Sequence, residues 1–165
     1  MGRADAEGPV TLSVLDRLID LDPKSQLEAP LTRAQSLRRL KAALKRDLEW
    51  LLNTRRVVED VPTTDAVLEH SLYHYGLPDF TGLSLRSTRD QQKITRSLES
   101  VIMRFEPRLA NVRVTMEPVT ENARLLRFVI EGMLRIDPAP ERVSFDTVLE
   151  LSSGRYEVRG EPGAG

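Results

Sequence analysis

Glu99, Glu106, Glu117 and Glu121 are candidates by type for acid–base chemistry. A carboxylate pair hydrolyses a glycoside when one member is held as the acid and the second stands roughly 5–10 Å away across a sugar cleft. No spacing in the sequence places two of them across a cleft, and Trp50 is the only tryptophan available to stack on a sugar ring. His70 and His74 are four residues apart and share a helix face, as a metal-binding pair does. No Glu directly follows His70 and no third ligand is evident, so the two read as surface or boundary histidines. The absence of cysteine excludes disulfides, thiolate zinc sites and cysteine nucleophiles. There is no Gly-flanked serine elbow, and Gly76 and Gly82 are single turn residues rather than a phosphate loop. The expectation is a chain with no catalytic residue, no metal and no cofactor.

Glu106-Pro107-Arg108 points to contact rather than reaction. Proline fixes its own φ and pushes the preceding residue toward extended geometry, so the two charges sit on a stiff corner. They are either solvated charges on an ordinary helix-to-strand connection or a preorganised pair for a protein partner. Arg55 and Arg56 lie just past a predicted helix end. They can bond its last carbonyls and suit its dipole, or project to a partner. Trp50, beside an apolar stripe, is expected to pack in the core.

The elements that position these residues follow from periodicity. Val10 to Leu21 carries Leu12, Leu15, Leu18 and Ile19 at helical spacing and is stopped by Asp22-Pro23. Thr32 and Gln35 form a capping box for a longer helix with Leu37, Leu40, Leu44, Leu48 and Leu51 on one stripe and Asn53 as C-terminal cap. Thr63 or Thr64 opens a third helix, ended by Gly76 and Pro78, and an exposed-looking Phe80 sits in the loop that follows. Ser87 or Thr88 opens a fourth, with Ile94, Leu98, Val101, Ile102 and Phe105 on its stripe until Pro107 ends it.

Beyond Pro107 the period changes to two. Alternating segments around Val112–Met116, Leu126–Glu131, Val143–Leu149 and Arg155–Arg159 predict four strands joined by short turns. Helices first and strands second predict an α+β fold, with an antiparallel meander solvated on one face. The domain is expected over residues 11–159, with disordered tails at 1–10 and 160–165.

Charge excludes some partners. Net charge is −1, which gives no general pull toward nucleic acid or anionic lipid. Between Leu31 and Arg56, eight Lys/Arg face only Asp47 and Glu49, a local balance of +6. That basic face is either solvated or docks on an acidic protein. No aromatic residues interleave with it as they do in single-strand nucleic-acid binders. No apolar run approaches the ~18–20 residues a membrane helix needs. Met1–Val10 lacks the apolar stretch of a secretory signal, so the expected location is the cytoplasm.

Four segments in order carry a resemblance: Leu12-Ser13-Val14-Leu15-Asp16-Arg17-Leu18, Leu44 to Arg56, Ser71 to Phe80, and Phe105-Glu106-Pro107-Arg108-Leu109. Together they resemble the gp25-like baseplate wedge family of contractile injection machines, in particular its type VI secretion branch, TssE. The resemblance covers most of residues 11–110; the final strands match in pattern only.

It implies a gp25-like fold and a structural, non-enzymatic subunit in a baseplate at the inner face of the cytoplasmic membrane. The implied partners are the baseplate proteins TssF, TssG and TssK and the sheath proteins TssB/TssC, whose polymerisation the subunit starts. It also implies that Glu106, Pro107 and Arg108 matter for assembly. Together with Arg55 and Arg56 they are the expected partner-binding residues. Exposed sheet edges offer a physical route, because an edge can accept a strand from another chain. The alternatives are a peptidoglycan glycosidase, since family members have been labelled lysozyme-like, and an adaptor that shares the fold.

Overall fold

The computed structural model describes residues 8–19, 31–56, 71–80, 82–118 and 124–160. Among them run α1 (Val14–Leu18), α2 (Arg33–Asn53) and α3 (Thr88–Phe105), followed by β1 (Leu109–Met116), β2 (Leu125–Leu134), β3 (Glu141–Glu150) and β4 (Arg155–Val158). Helices therefore precede one antiparallel sheet of order β1-β2-β3-β4, the α+β meander that the change of period predicts. Two compact units, Met1–Leu44 and Lys45–Gly165, divide within α2.

In the first unit the capping box forms as expected. The Gln35 N–H donates to Thr32 Oγ1 at 3.3 Å, and the Thr32 N–H donates to Gln35 Oε1 at 2.9 Å. Each side chain thus satisfies a backbone donor that the helix start leaves without an internal partner. The first helix is shorter than the predicted Val10–Leu21. Ser13 caps it by accepting from the Asp16 N–H at 3.2 Å, and Ile19 is already extended. Upstream, the Val10 N–H is taken by the buried Ser36 hydroxyl at 2.9 Å. None of the five α1 residues is buried. The remainder of that helix and the Asp22–Pro30 stretch lie outside the described residues.

In the second unit, Ser87 caps α3 through the Asp90 N–H, and Ile94, Leu98 and Ile102 form its buried stripe. Leu48, Leu51 and Leu52 of α2 and Leu77 add to that core, and the sheet contributes one face to it. Leu126, Phe128, Ile130 and Leu134 on β2 are buried with Val143, Phe145 and Leu149 on β3 and Tyr156 and Val158 on β4. Each apolar side chain fully buried in this way contributes about 1.5–3 kcal/mol. β1 carries one irregularity between Ala110 and Arg113, where Asn111 takes a positive φ of 52°. Asparagine tolerates that geometry better than most residues, and the bulge resets which residues of β1 face the core.

The predicted third helix, opened by Thr63 or Thr64, lies outside the described residues up to position 70. Past them the chain makes one 3-10 turn, Leu72–His74, capped by Ser71, and Tyr75 is already extended. The following segment is tied to the end of α2 by two backbone bonds, from the Leu77 N–H to the Thr54 carbonyl at 2.8 Å and from the Arg56 N–H to the Leu77 carbonyl at 3.0 Å. Gly76 makes that approach possible. Its φ is +102°, and a Cβ built there would sit 2.4 Å from the Thr54 oxygen. Gly76→Ala is therefore expected to cost about 1–3 kcal/mol from the backbone conformation alone. Gly82→Ala, with nothing within 4 Å, should stay within about 0.5 kcal/mol of the parent. Urea unfolding of the two variants checks the contrast.

Candidate functional site

The corner between α3 and β1 carries a chain of four alternating charges. Glu106 ends α3 by donating its N–H to the Ile102 carbonyl at 2.8 Å. Its carbonyl accepts from the Leu109 N–H at 3.1 Å, which starts β1. Pro107 between them has no N–H to place and is exposed. Glu106 Oε1 accepts from both the Arg108 N–H, at 3.1 Å, and Arg108 Nε, at 2.7 Å, while Oε2 accepts a very short bond from Nη2. The pair is thus bidentate within three residues of chain. Arg108 Nη2 also reaches Asp47 Oδ2 on α2 at 2.6 Å, and Asp47 Oδ1 accepts Nε and Nη2 of Arg46 at 2.9 and 2.7 Å.

The corner is stiff, as Pro107 suggests, but its charges turn inward. Glu106 is 5% exposed and is no solvated charge. The Arg108 side chain keeps 22% of its exposure and Asp47 24%. Arg108 is held still more firmly protonated than usual, first by its bond to Glu106 and then by its proximity to Glu106 and Asp47. Tyr75 stands close to the same charges. Burial, then Asp47, then Glu106 push its phenol above the ordinary range, and its ring meets Phe105 edge-on at 5.3 Å.

Arg46 links this network to an aromatic. Its guanidinium lies 4.9 Å from the Trp50 ring centroid. Trp50 is 53% exposed, which corrects the expectation that it packs in the core. The reason is angular: Leu48, Leu51 and Leu52 fill the buried side of α2, so Trp50 falls on the flank and its face is covered by Arg46 instead.

Arg55 and Arg56 are both exposed. The last carbonyls of α2 go to other donors. Asn53 Nδ2 bonds the Glu49 carbonyl at 2.8 Å, Thr54 Oγ1 the Trp50 carbonyl at 2.7 Å, and the Thr54 N–H the Leu51 carbonyl at 3.3 Å. Short side chains close to the helix end reach those oxygens without the entropy cost of ordering a long arginine. The pair Arg55–Arg56 and the corner Glu106–Arg108 are thus distinct features: the first exposes its charge and the second conceals it.

Both outer edges of the sheet are met by side chains. On β4, the Tyr156 N–H donates to Asn53 Oδ1 at 2.9 Å, and its carbonyl accepts from Asn53 Nδ2 at 2.8 Å. One amide thus imitates a neighbouring strand. On β1, the Val114 N–H donates to Glu99 Oε1 at 2.8 Å. The bond from the Glu117 N–H to the Arg127 carbonyl fixes the alternation of the ladder, so that Val114 and Met116 direct their backbone groups away from β2. A polar groove follows this edge, lined by Gln91, Thr95 and Glu99 on α3 and by Val112, Val114 and Met116 on β1. The open edges expected of the meander thus become one edge occupied at Tyr156 and one latched at Val114.

The carboxylates considered for hydrolysis are dispersed. Both Glu106 oxygens are held by Arg108, and Glu99 is the sole carboxylate among the described residues lining the β1 groove. Glu117 is exposed, and Glu121 lies outside the described residues. His74 sits edge-on to Tyr73 at 5.4 Å; His70 lies outside the described residues. No group of three metal-ligating side chains occurs among the described residues. No helix among them is long and apolar enough to cross a membrane.

Asp47, Arg46 and Glu99 carry much of this arrangement, and no motif marks them as partners in it. Asp47 has one signal in the sequence, being one of two acids in the strongly basic stretch and adjoining the buried Leu48.

Arg108→Ala is expected to cost about 3–5 kcal/mol, because it strands the Glu106 carboxylate without its bidentate partner. Asp47→Asn should cost less, about 1–2 kcal/mol, since Glu106 keeps Arg108. Denaturant unfolding of the two variants measures the difference. A second expectation concerns pH. Burial pushes the Tyr156 phenol up to about 12. Its folded value lies above its unfolded value, so this stabilisation is complete below about pH 10 and is lost as pH rises from there through 12, at up to about 1.4 kcal/mol per pH unit. Tyr156→Phe should remove that part of the alkaline slope in a series of melts.

A family model described as baseplate wedge protein gp25 matches residues 38–139. The matched stretch starts within α2 and takes in the Asp47–Glu106–Arg108 network, β1 and β2. Comparison with curated proteins gave no match. With more than half of its length matched and with helices leading into a four-stranded antiparallel sheet, this chain belongs to the gp25 baseplate wedge protein family, structural components of contractile injection machines.

Proposed function

We propose that this chain is the gp25-like wedge subunit of a type VI secretion baseplate, assembled in the cytoplasm against the inner face of the membrane. In this reading it binds TssF and TssG, lies near TssK, and starts polymerisation of the TssB/TssC sheath. The family membership over residues 38–139 carries the proposal. It acts as a structural subunit and needs no cofactor.

The groove along β1 supports a mechanism for starting the sheath. β1 has eight residues and β4 has four, and β4 already has Tyr156 doubly occupied. An arriving strand finds the longer ladder at β1, where it replaces Glu99 at the Val114 N–H. The loss of one charge-assisted bond is offset by several backbone bonds. The Glu106–Arg108–Asp47 network keeps α3, β1 and the end of α2 in the alignment that this groove needs. Exposed Pro107, Arg55 and Arg56 are left as contacts for wedge proteins, where charge sets orientation and rate of docking.

Met116→Pro removes an outward-facing donor on an edge strand, a position where proline is tolerated. In the native host it is expected to retain co-purification with TssF and TssG while fluorescent TssB foci fall at least tenfold. Normal sheath foci in this variant would rule out docking on β1. Failure of the parent protein to recover TssF or TssG, while another wedge subunit does recover them, would rule out the wedge assignment.

A further inference from the structure

A second concavity lies away from the β1 groove and shares no lining residue with it. It forms where the end of α2, the segments 77–80 and 82–85, and the β2–β3–β4 end of the sheet converge, with Leu52, Leu77, Phe80, Leu126 and Leu149 in its walls. Phe80, an exposed-looking loop aromatic in the sequence, is half-buried here. Three observations bear on what fills the pocket. Tyr156 lines it and is 4% exposed, yet its hydroxyl is buried without a hydrogen-bond partner. That atom is closed to solvent, so Tyr156 serves the pocket as wall rather than as a donor. Arg55 also lines the pocket, with Nη2 3.2 Å from where a Cβ on Gly154 would lie. The last carbonyls of α2 are taken by Asn53 and Thr54, so the positive charge of Arg55 stays at the rim beside exposed Arg56. Leu151, a further lining residue, is 38% exposed.

An apolar floor with a cationic rim complements an apolar group attached to an acidic one. We propose that this pocket docks a short extended segment of a partner protein, which inserts one apolar side chain and sets an aspartate or glutamate against Arg55. The choice of a protein over a free amphiphile rests on the assembly-subunit reading. Charge at the rim sets the orientation and preference of the arriving segment.

The test uses the full chain, labelled with nitrogen-15 and titrated with acetyl-Asp-Leu-Asp-amide, with acetyl-Lys-Leu-Lys-amide and with decanoate. The acidic peptide is expected to shift the amides of Leu77, Gly154 and Tyr156 in a saturable way, at least fivefold more strongly than the basic peptide. Arg55→Glu should invert that order, and Arg55→Gln should abolish the preference. No shift at these amides, equal response to both peptides, or response to decanoate alone would each overturn the proposal, the last in favour of an amphiphile site. The titration contains no wedge or sheath protein. Its failure therefore leaves the baseplate reading standing, and loss of TssF and TssG recovery leaves the pocket result standing.

Discussion

Arg108 is the fixed point on which the second unit depends. Its guanidinium bonds the carboxylate two residues before it and the carboxylate of Asp47, sixty-one residues earlier. A buried carboxylate is tolerable only when its charge is answered and its lone pairs are used. Glu106 meets that condition through a planar fork that a lysine cannot imitate. Because the same three residues end α3 and begin β1, the ion pair sets the angle between the helix and the first strand. Asp47 then ties α2 to that corner, and Arg46 with Trp50 extends the tie to the helix surface. Stability in such a network resides in its completeness, since each member is costly only when its partner is missing.

From this frame follows the treatment of the sheet edges. An edge strand presents unpaired donors and acceptors that invite association with any other strand. Here each edge is met by one polar side chain from a helix, Asn53 at β4 and Glu99 at β1. The two differ in strength. Asn53 makes a reciprocal amide pair and also caps its own helix, so three bonds hold it. Glu99 makes a single bond beside a polar groove. Under the proposed docking at β1, an edge closed by one replaceable carboxylate resists pairing with a second copy yet yields to a partner strand. The groove depends on α3 lying along β1, and that alignment depends on the Arg108 corner.

The charges of the chain divide by environment. Arg46 and Arg108 are consumed by internal carboxylates, whereas Arg55 and Arg56 remain at the surface. All four are arginines within or beside the same resemblance-bearing segments, and residue type alone does not separate them. The difference arises from which acids the fold brings near. Asp47 and Glu106 converge on Arg108, while the carbonyls next to Arg55 are reached first by Asn53 and Thr54.

Much of this is legible in the sequence because the signals are local. The capping box at Thr32–Gln35, the stripe Leu40–Leu44–Leu48–Leu51, the stop at Pro107 and the period-two strands depend on residues a few positions apart, and the structure follows them. The gp25 family can be read from short motifs for the same reason. The extent of α1 departs from its periodicity because Val10 gives its N–H to Ser36, a partner twenty-six residues away. Trp50 departs from the core because adjacent leucines fill the buried side and only the fold decides which flank stays open. The bond of Arg108 to Asp47, the amide of Asn53 against Tyr156 and the latch of Glu99 on Val114 join residues 15 to 103 positions apart. Periodicity and capping are set by neighbours along the chain, so the sequence alone determined α2, α3, the four strands and their order. Burial and ion pairing are set by what long-range packing brings together, and so only the tertiary structure decided which charges are spent inside and which edges remain to be used.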